Sequence, residues 1–189
     1  MSLNTTPSAE RTHIGIFGRR NAGKSSLINA LTGQSLAIVS DVKGTTTDPV
    51  LKAMELLPLG PVVMIDTPGI DDEGNLGSMR VQKAFQILNK TDLALLVIDS
   101  LSGPSHEDAV TLAHIQKKEI PFLVVLNKSD QIEDLDHAVQ KAADFLQVSK
   151  EKLMTASASS GYHIQELKEA IALLAPKEDD KPATSWRIW

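Results

Sequence analysis

One run, Gly18-Arg19-Arg20-Asn21-Ala22-Gly23-Lys24-Ser25, limits most strongly what this chain can fold into. Its spacing is G-x-x-x-x-G-K-S. The apolar stretch Ile14-Gly15-Ile16-Phe17 precedes it and reads as a buried strand. Ser26-Leu27-Ile28-Asn29-Ala30-Leu31 follows and reads as a helix, with Leu27, Ala30 and Leu31 on one face. That strand–loop–helix context is what a phosphate-binding loop requires. Gly18 and Gly23 let the backbone curl so that successive N–H groups point at one phosphate. The helix N-terminus adds partial positive charge behind them. Asn21, Ala22, Gly23, Lys24, Ser25 and Ser26 are therefore expected against the phosphates. Lys24, on an exposed loop, can reach the β- and γ-phosphates, and the Ser25 hydroxyl can ligate Mg²⁺.

The rest of the chain supports that element. From Thr12 onward, apolar runs alternate with helical patterns. Strands are expected at 13–17, 50–57, 62–65, 93–98, 121–126 and 152–156, and helices at 24–32, 78–89, 107–118, 133–146 and 164–174. The short Gly60-Pro61 connection makes the second and third strands an antiparallel hairpin. The expected class is α/β: a six-stranded, mostly parallel sheet with one antiparallel edge strand and helices on both faces. Residues 1–11 read as a flexible N-terminal arm and 12–175 as one nucleotide-binding domain. Residues 176–189 read as a linker or the start of a further C-terminal region. With 24 acidic and 19 basic residues the net charge is −5, which does not favour strong non-specific nucleic-acid binding. No stretch has the long uncharged apolar run that spans a membrane. The sequence has no cysteine, which excludes disulfides and thiolate metal sites within it and fits a cytoplasmic protein.

Further motifs select the nucleotide. Asp66-Thr67-Pro68-Gly69 follows the third strand; Asp66 can hold Mg²⁺ through water, and the Gly69 N–H can bond a γ-phosphate. Asn127-Lys128-Ser129-Asp130 follows the fifth. The Asp130 carboxylate can accept from the N1–H and exocyclic amine of guanine. Adenine offers neither, and its binding would leave a carboxylate unpaired. Lys128 can lie along the base, and Asn127 can tie neighbouring loops. Ser157-Ala158-Ser159 follows the last strand, where the Ala158 N–H can donate to guanine O6. Gly44-Thr45-Thr46-Thr47-Asp48 supplies a threonine hydroxyl for the Mg²⁺ shell. The polar run Ile70 to Gly77 suits a segment that changes shape when the γ-phosphate leaves.

In this order the motifs resemble the translation-factor-like class of P-loop GTPases over residues 12 to 175, which implies that family's three-layer fold, GTP/GDP as ligand and GTP hydrolysis. The phosphate loop, Gly-Thr-Thr-Thr-Asp and Asp-Thr-Pro-Gly look like the family of Era, the tRNA-modification GTPase TrmE and the septins. The runs 37–42, 44–50 and 58–63 are similar to the iron-iron hydrogenase H-cluster maturation GTPases, the HydF family. That resemblance implies maturation proteins as partners through the switch loops, and a dimerisation domain and an iron–sulfur domain beyond this chain; no iron–sulfur cluster is expected here. The alternative is a tRNA-modification or ribosome-assembly GTPase of the Era/TrmE type. The resemblance also selects Thr46 as the Mg²⁺ threonine, and Lys24, Thr46 and Gly69 as the residues serving hydrolysis. Asn21 stands where potassium-dependent members carry Asn, which implies K⁺ held by its amide oxygen and by carbonyls around Ala37 to Lys43. Ile70 stands where Ras-like enzymes place a water-orienting Gln, which implies slow intrinsic hydrolysis.

Overall fold

The computed structural model describes residues 11–19, 21–33, 50–67 and 85–176. The expectations for Arg20, the segment Ala37 to Lys43, Thr46, Gly69, Ile70 to Gly77 and residues 177–189 lie outside these residues, as do all of the arm except Arg11 and all of the 78–89 helix before residue 85. Arg11 itself is buried.

Strand β1 (Thr12–Phe17) runs into the glycine loop and then into α1 (Lys24–Thr32). Strands β2 (Val50–Leu56) and β3 (Gly60–Asp66) form the expected hairpin, paired antiparallel from Val50↔Asp66 to Leu56↔Gly60. Residues 85–88 are helical (α2). There follow β4 (Leu93–Asp99), α3 (His106–Lys117), β5 (Phe122–Asn127), α4 (Leu135–Leu146), β6 (Leu153–Thr155) and α5 (Ile164–Leu174). Short 3₁₀ turns over Ser129–Gln131 and Lys150–Lys152 were not foreseen in the sequence.

The six strands lie in the order β2-β3-β1-β4-β5-β6, and every pair except β2–β3 is parallel. Strand β4 is buried on both faces, from Leu93 to Ile98, as a continuous apolar run in a central parallel strand must be. Side-chain alternation sends Leu93, Leu95 and Val97 to one face, where Leu27, Ile28 and Leu31 of α1 and Leu167 and Ile171 of α5 cover them. Ala94, Leu96 and Ile98 face the other way, under Ile87, Leu88, Leu112, Ile115, Ala142 and Leu146. Helices therefore cover both faces, as expected.

The boundaries moved where caps set them. Helix α3 begins at His106, one residue before expectation, because Ser105 accepts from the Asp108 N–H while Asp108 accepts from the Ser105 N–H. Helix α4 begins at Leu135, two residues late, because Asp134 is its N-cap and accepts from the His137 N–H. Its inward face is Ala142, Ala143 and Leu146, whereas Leu135, Ala138 and Val139 are half-buried.

The chain leaves β1 for β3 on one side and β4 on the other. The strand order thus reverses at β1, and the crevice beyond the carboxyl ends of β1, β3 and β4 is where such a sheet receives ligands.

Candidate nucleotide-binding site

Each described motif lies at that edge. Gly18 follows β1 with φ 146°, and a Cβ there would collide with the Val97 carbonyl oxygen on β4. Gly23 has φ 90°, and a Cβ there would meet the Asn127 amide. Only glycine satisfies both the left-handed backbone and the close approach at Gly23. The loop is closed by the Ala22 N–H donating to the Arg19 carbonyl at 3.1 Å.

Lys24 is not on an exposed loop. It is the first residue of α1 and only 6% exposed. Its ammonium donates to the Gly18 carbonyl at 2.8 Å and to the Thr67 carbonyl at 3.0 Å, spanning the ends of β1 and β3. An ammonium is buried at low cost only when its donors are used. Thr67 is fixed in turn, its hydroxyl donating to the Ile16 carbonyl at 2.7 Å. The Ser25 hydroxyl points at Asp66, with 3.4 Å between Oγ and Oδ2. The other carboxylate oxygen, Oδ1 of Asp66, is buried without a hydrogen-bond partner. Burial pushes the Asp66 carboxyl above the usual range, with Lys24, the Ser25 hydroxyl and Lys52 acting the other way. An orphaned carboxylate oxygen beside an exposed serine hydroxyl at a helix N-terminus fits a hard divalent cation taking oxygen ligands. Ser25 and Asp66 are the described residues that would hold Mg²⁺, directly or through water.

Asn127 closes β5 and bridges two loops. Its side-chain amide donates to the Ala22 carbonyl at 3.0 Å, and its Oδ1 accepts from the Ala158 N–H at 3.1 Å. The tie between neighbouring loops is the expected one. The use of the Ala158 N–H is not: the donor expected at guanine O6 serves Asn127 here. Lys128 sits at φ 63° and reaches back to the Asn21 carbonyl at 3.0 Å and to Asp99 at 3.0 Å. Asp130 is exposed at the head of the same turn, and its Oδ1 accepts from the Ser157 hydroxyl at 2.7 Å. Ser157 is fully buried and also accepts from the Ser160 N–H, so it aims the Asp130 carboxylate rather than meeting a base itself. Ser129 ties the loop after β5 to the loop after β6, its N–H and hydroxyl both donating to the Ala156 carbonyl.

The structure thus brings Asn21, Ala22, Gly23, Lys24, Ser25, Asp66, Asn127, Lys128, Asp130, Ser157 and Ala158 to one sheet edge. The Ser26 side chain is exposed on the first turn of α1. The sequence reading missed Asp99, Ser129 and Arg19. Asp99 ends a buried strand as Asp66 does, and that position was its one available signal. Arg19 donates to the Ser102 hydroxyl at 3.1 Å and lies 3.8 Å from Asp108; no local pattern links residues so far apart. Among the described residues no cluster of three or more His, Cys, Asp or Glu side chains forms a metal cage, and no helix is long and apolar enough to cross a membrane.

Residues 13–128 match the family described as 50S ribosome-binding GTPase. The chain is 38% identical over 179 residues to GTPase Der of Wolinella succinogenes, a match covering 89% of this chain and 36% of that protein. It is 34% identical over 167 residues to the tRNA modification GTPase MnmE of Helicobacter acinonychis, covering 88% of this chain and 36% of that one. The chain therefore spans little more than a third of these curated relatives. Among solved structures it is similar to Era in complex with MgGDPNP and nucleotides 1506-1542 of 16S ribosomal RNA. The TM-score is 0.73 at 28% identity, over 90% of this chain and 58% of that one.

Proposed function

Since the chain belongs to the 50S ribosome-binding GTPase family, we propose that it binds GTP with Mg²⁺ and hydrolyses it to GDP and phosphate as a molecular switch. The observation that carries this reading is the set of ties at the strand ends, in which Lys24, Asn127 and Lys128 each bond a carbonyl of the glycine loop. With its carbonyls held from behind, the loop is free to present N–H groups to phosphate oxygens. Lys24 places a positive charge at the same point, where charge develops during phosphoryl transfer. Ser25 and Asp66, with Thr46 as a third, would hold Mg²⁺, which when bound would neutralise charge on the phosphate oxygens. Asp130, steadied by Ser157, reads guanine, and Gly69 takes the γ-phosphate.

The relatives named Der and MnmE support a tRNA-modification or ribosome-assembly role of the Era/TrmE type. The Era complex with ribosomal RNA reopens the question of an RNA partner, against which the sequence offers only its net charge of −5. A second reading, a switch domain in hydrogenase H-cluster maturation with dimerisation outside this chain, rests on the run Gly44-Thr45-Thr46-Thr47-Asp48-Pro49-Val50 and on Pro58 to Val63. Either role is placed in the cytoplasm.

The Asn21 side chain is exposed beside the loop, which leaves its amide oxygen available to a K⁺ ion that neutralises transition-state charge. Phosphate release from GTP and ATP, measured in potassium and in sodium at equal ionic strength, tests the proposal. GTP turnover should exceed ATP turnover and be several-fold faster in potassium. Equal use of GTP and ATP would defeat the GTPase reading, and equal rates in the two salts would defeat the K⁺ site.

A further inference from the structure

We infer that Arg19 is a positioning residue. It fixes the glycine loop to the segment between β4 and α3, and this tie acts on phosphate binding and not on base recognition. The inference rests on the reading of that loop as the phosphate site. The carbonyls of Gly18, Asn21 and Ala22 are each held by a side chain of a recognised motif. Arg19 holds the loop from the other direction. Its Nη2 donates to the Ser102 hydroxyl at 3.1 Å and to the Gly103 carbonyl at 3.4 Å, and its Nε lies 3.8 Å from Asp108 Oδ2.

Asp108 is an anchored partner. It is 2% exposed, and the same Oδ2 accepts from the Ser105 N–H at 2.9 Å and the Ser105 hydroxyl at 3.1 Å. These contacts close the first turn of a 12-residue helix, so the guanidinium, hydrogen-bonded to Ser102 and Gly103 in the loop, also faces a carboxylate fixed on a rigid element. Burial pushes the Asp108 carboxyl up, and its bonds to Ser105 and the Arg19 charge oppose that shift. Arg19 suits this task because its delocalised planar guanidinium can turn Nη2 to the hydroxyl and the carbonyl while Nε faces the carboxylate, a fixed geometry that a flexible ammonium does not reproduce.

The consequence for the loop follows from its backbone. The Arg19 carbonyl accepts from the Ala22 N–H and so forms the turn that shapes the loop. Gly18, the preceding residue, is pressed against the β4 backbone. A side chain that locks Arg19 therefore locks the turn between Gly18 and Ala22, and with it the direction of the N–H groups that follow. The guanine-reading residues reach the loop directly, through Asn127 and Lys128. The Arg19 contacts end on Ser102, Gly103 and Asp108, and they meet Lys128 only at second hand, through Asp99, whose carbonyl accepts from the Gly103 N–H and the Ser102 hydroxyl while its carboxylate accepts from Lys128. A ligand without phosphates should not sense their loss.

Titration and release of fluorescent GDP, with guanosine as competitor, test this on the 189-residue chain and on Arg19→Ala, Arg19→Lys and Ser102→Ala. Arg19→Ala should weaken GDP and speed its release roughly tenfold, the low end of what losing one hydrogen bond from a charged group costs. Guanosine affinity should stay the same, and the thermal midpoint should fall slightly, because the buried Asp108 loses its cation. Arg19→Lys should recover only part of the loss, and Ser102→Ala should show a smaller change in the same direction. Unchanged GDP release in Arg19→Ala, or a parallel loss of guanosine and GDP binding, would overturn the inference. If Arg19→Ala does not fold, unchanged GDP release in Ser102→Ala and Arg19→Lys would overturn it. Failure of the unmodified chain to bind GDP would instead defeat the functional reading, and the inference with it.

Discussion

Asp66 carries a buried oxygen with no partner beside an ammonium already committed elsewhere, since Lys24 donates to two carbonyls. Burial raises its carboxyl above the reference of 3.8, and Lys24, Ser25 and Lys52 offset this only in part. Between the two values the folded chain holds more protons than the unfolded one, so this residue makes stability fall as pH rises through that window. Asp66→Asn should remove that slope in a chelator-containing buffer, seen by thermal unfolding from acid to neutral pH. The same change should lower Mg²⁺-dependent hydrolysis on the order of 10–100-fold, as loss of a metal-orienting group does. A stability slope in Asp66→Asn equal to that of the unmodified chain would mean that another group titrates there. At this scale the sequence singled out the candidate side chains, because Lys24, Asp66 and Asp130 sit in motifs of fixed spacing. It did not show how they are held. The burial of Lys24, the turning of Ala158 toward Asn127 and the support of Asp130 by Ser157 arise from contacts across 27 to 43 residues.

Elements were legible where one face had to be apolar. Helices α1 and α5 have the expected ends, and β4 was visible as an unbroken apolar run. The starts of α3 and α4 were misplaced because caps rather than periodicity fixed them. The Ser105–Asp108 box is worth testing as an element of stability: Ser105→Ala should cost about 1 kcal/mol, typical of losing an N-cap, read as a lower denaturation midpoint with an unchanged slope. An undiminished midpoint would show that the Asp108 carboxylate and its Arg19 contact hold the helix start unaided. The 3₁₀ turn over Ser129–Gln131 escaped the sequence reading because its cause is tertiary, the bonds from Ser129 to the Ala156 carbonyl.

For the whole molecule, the mostly parallel sheet with one antiparallel pair was legible in the alternating apolar runs and one short hairpin connection, whereas the strand order is set by the fold. The order β2-β3-β1-β4-β5-β6 then places every described motif at the carboxyl edge. Membership of the 50S ribosome-binding GTPase family agrees with that arrangement. The process the protein serves was not legible in the same way. The motifs bear on the nucleotide and not on partners, and the chain spans 36% of the length of the Der and MnmE relatives. The central claim, that loops separated by more than a hundred residues form one guanine-nucleotide site, is tested most directly at Asp130. Equilibrium titration with GDP, XDP and ADP should show the unmodified chain preferring GDP, and Asp130→Asn losing GDP while gaining XDP, because the exchange of carboxylate for amide reverses one donor–acceptor relation with the base. An Asp130→Asn variant that keeps its preference for GDP would contradict the account.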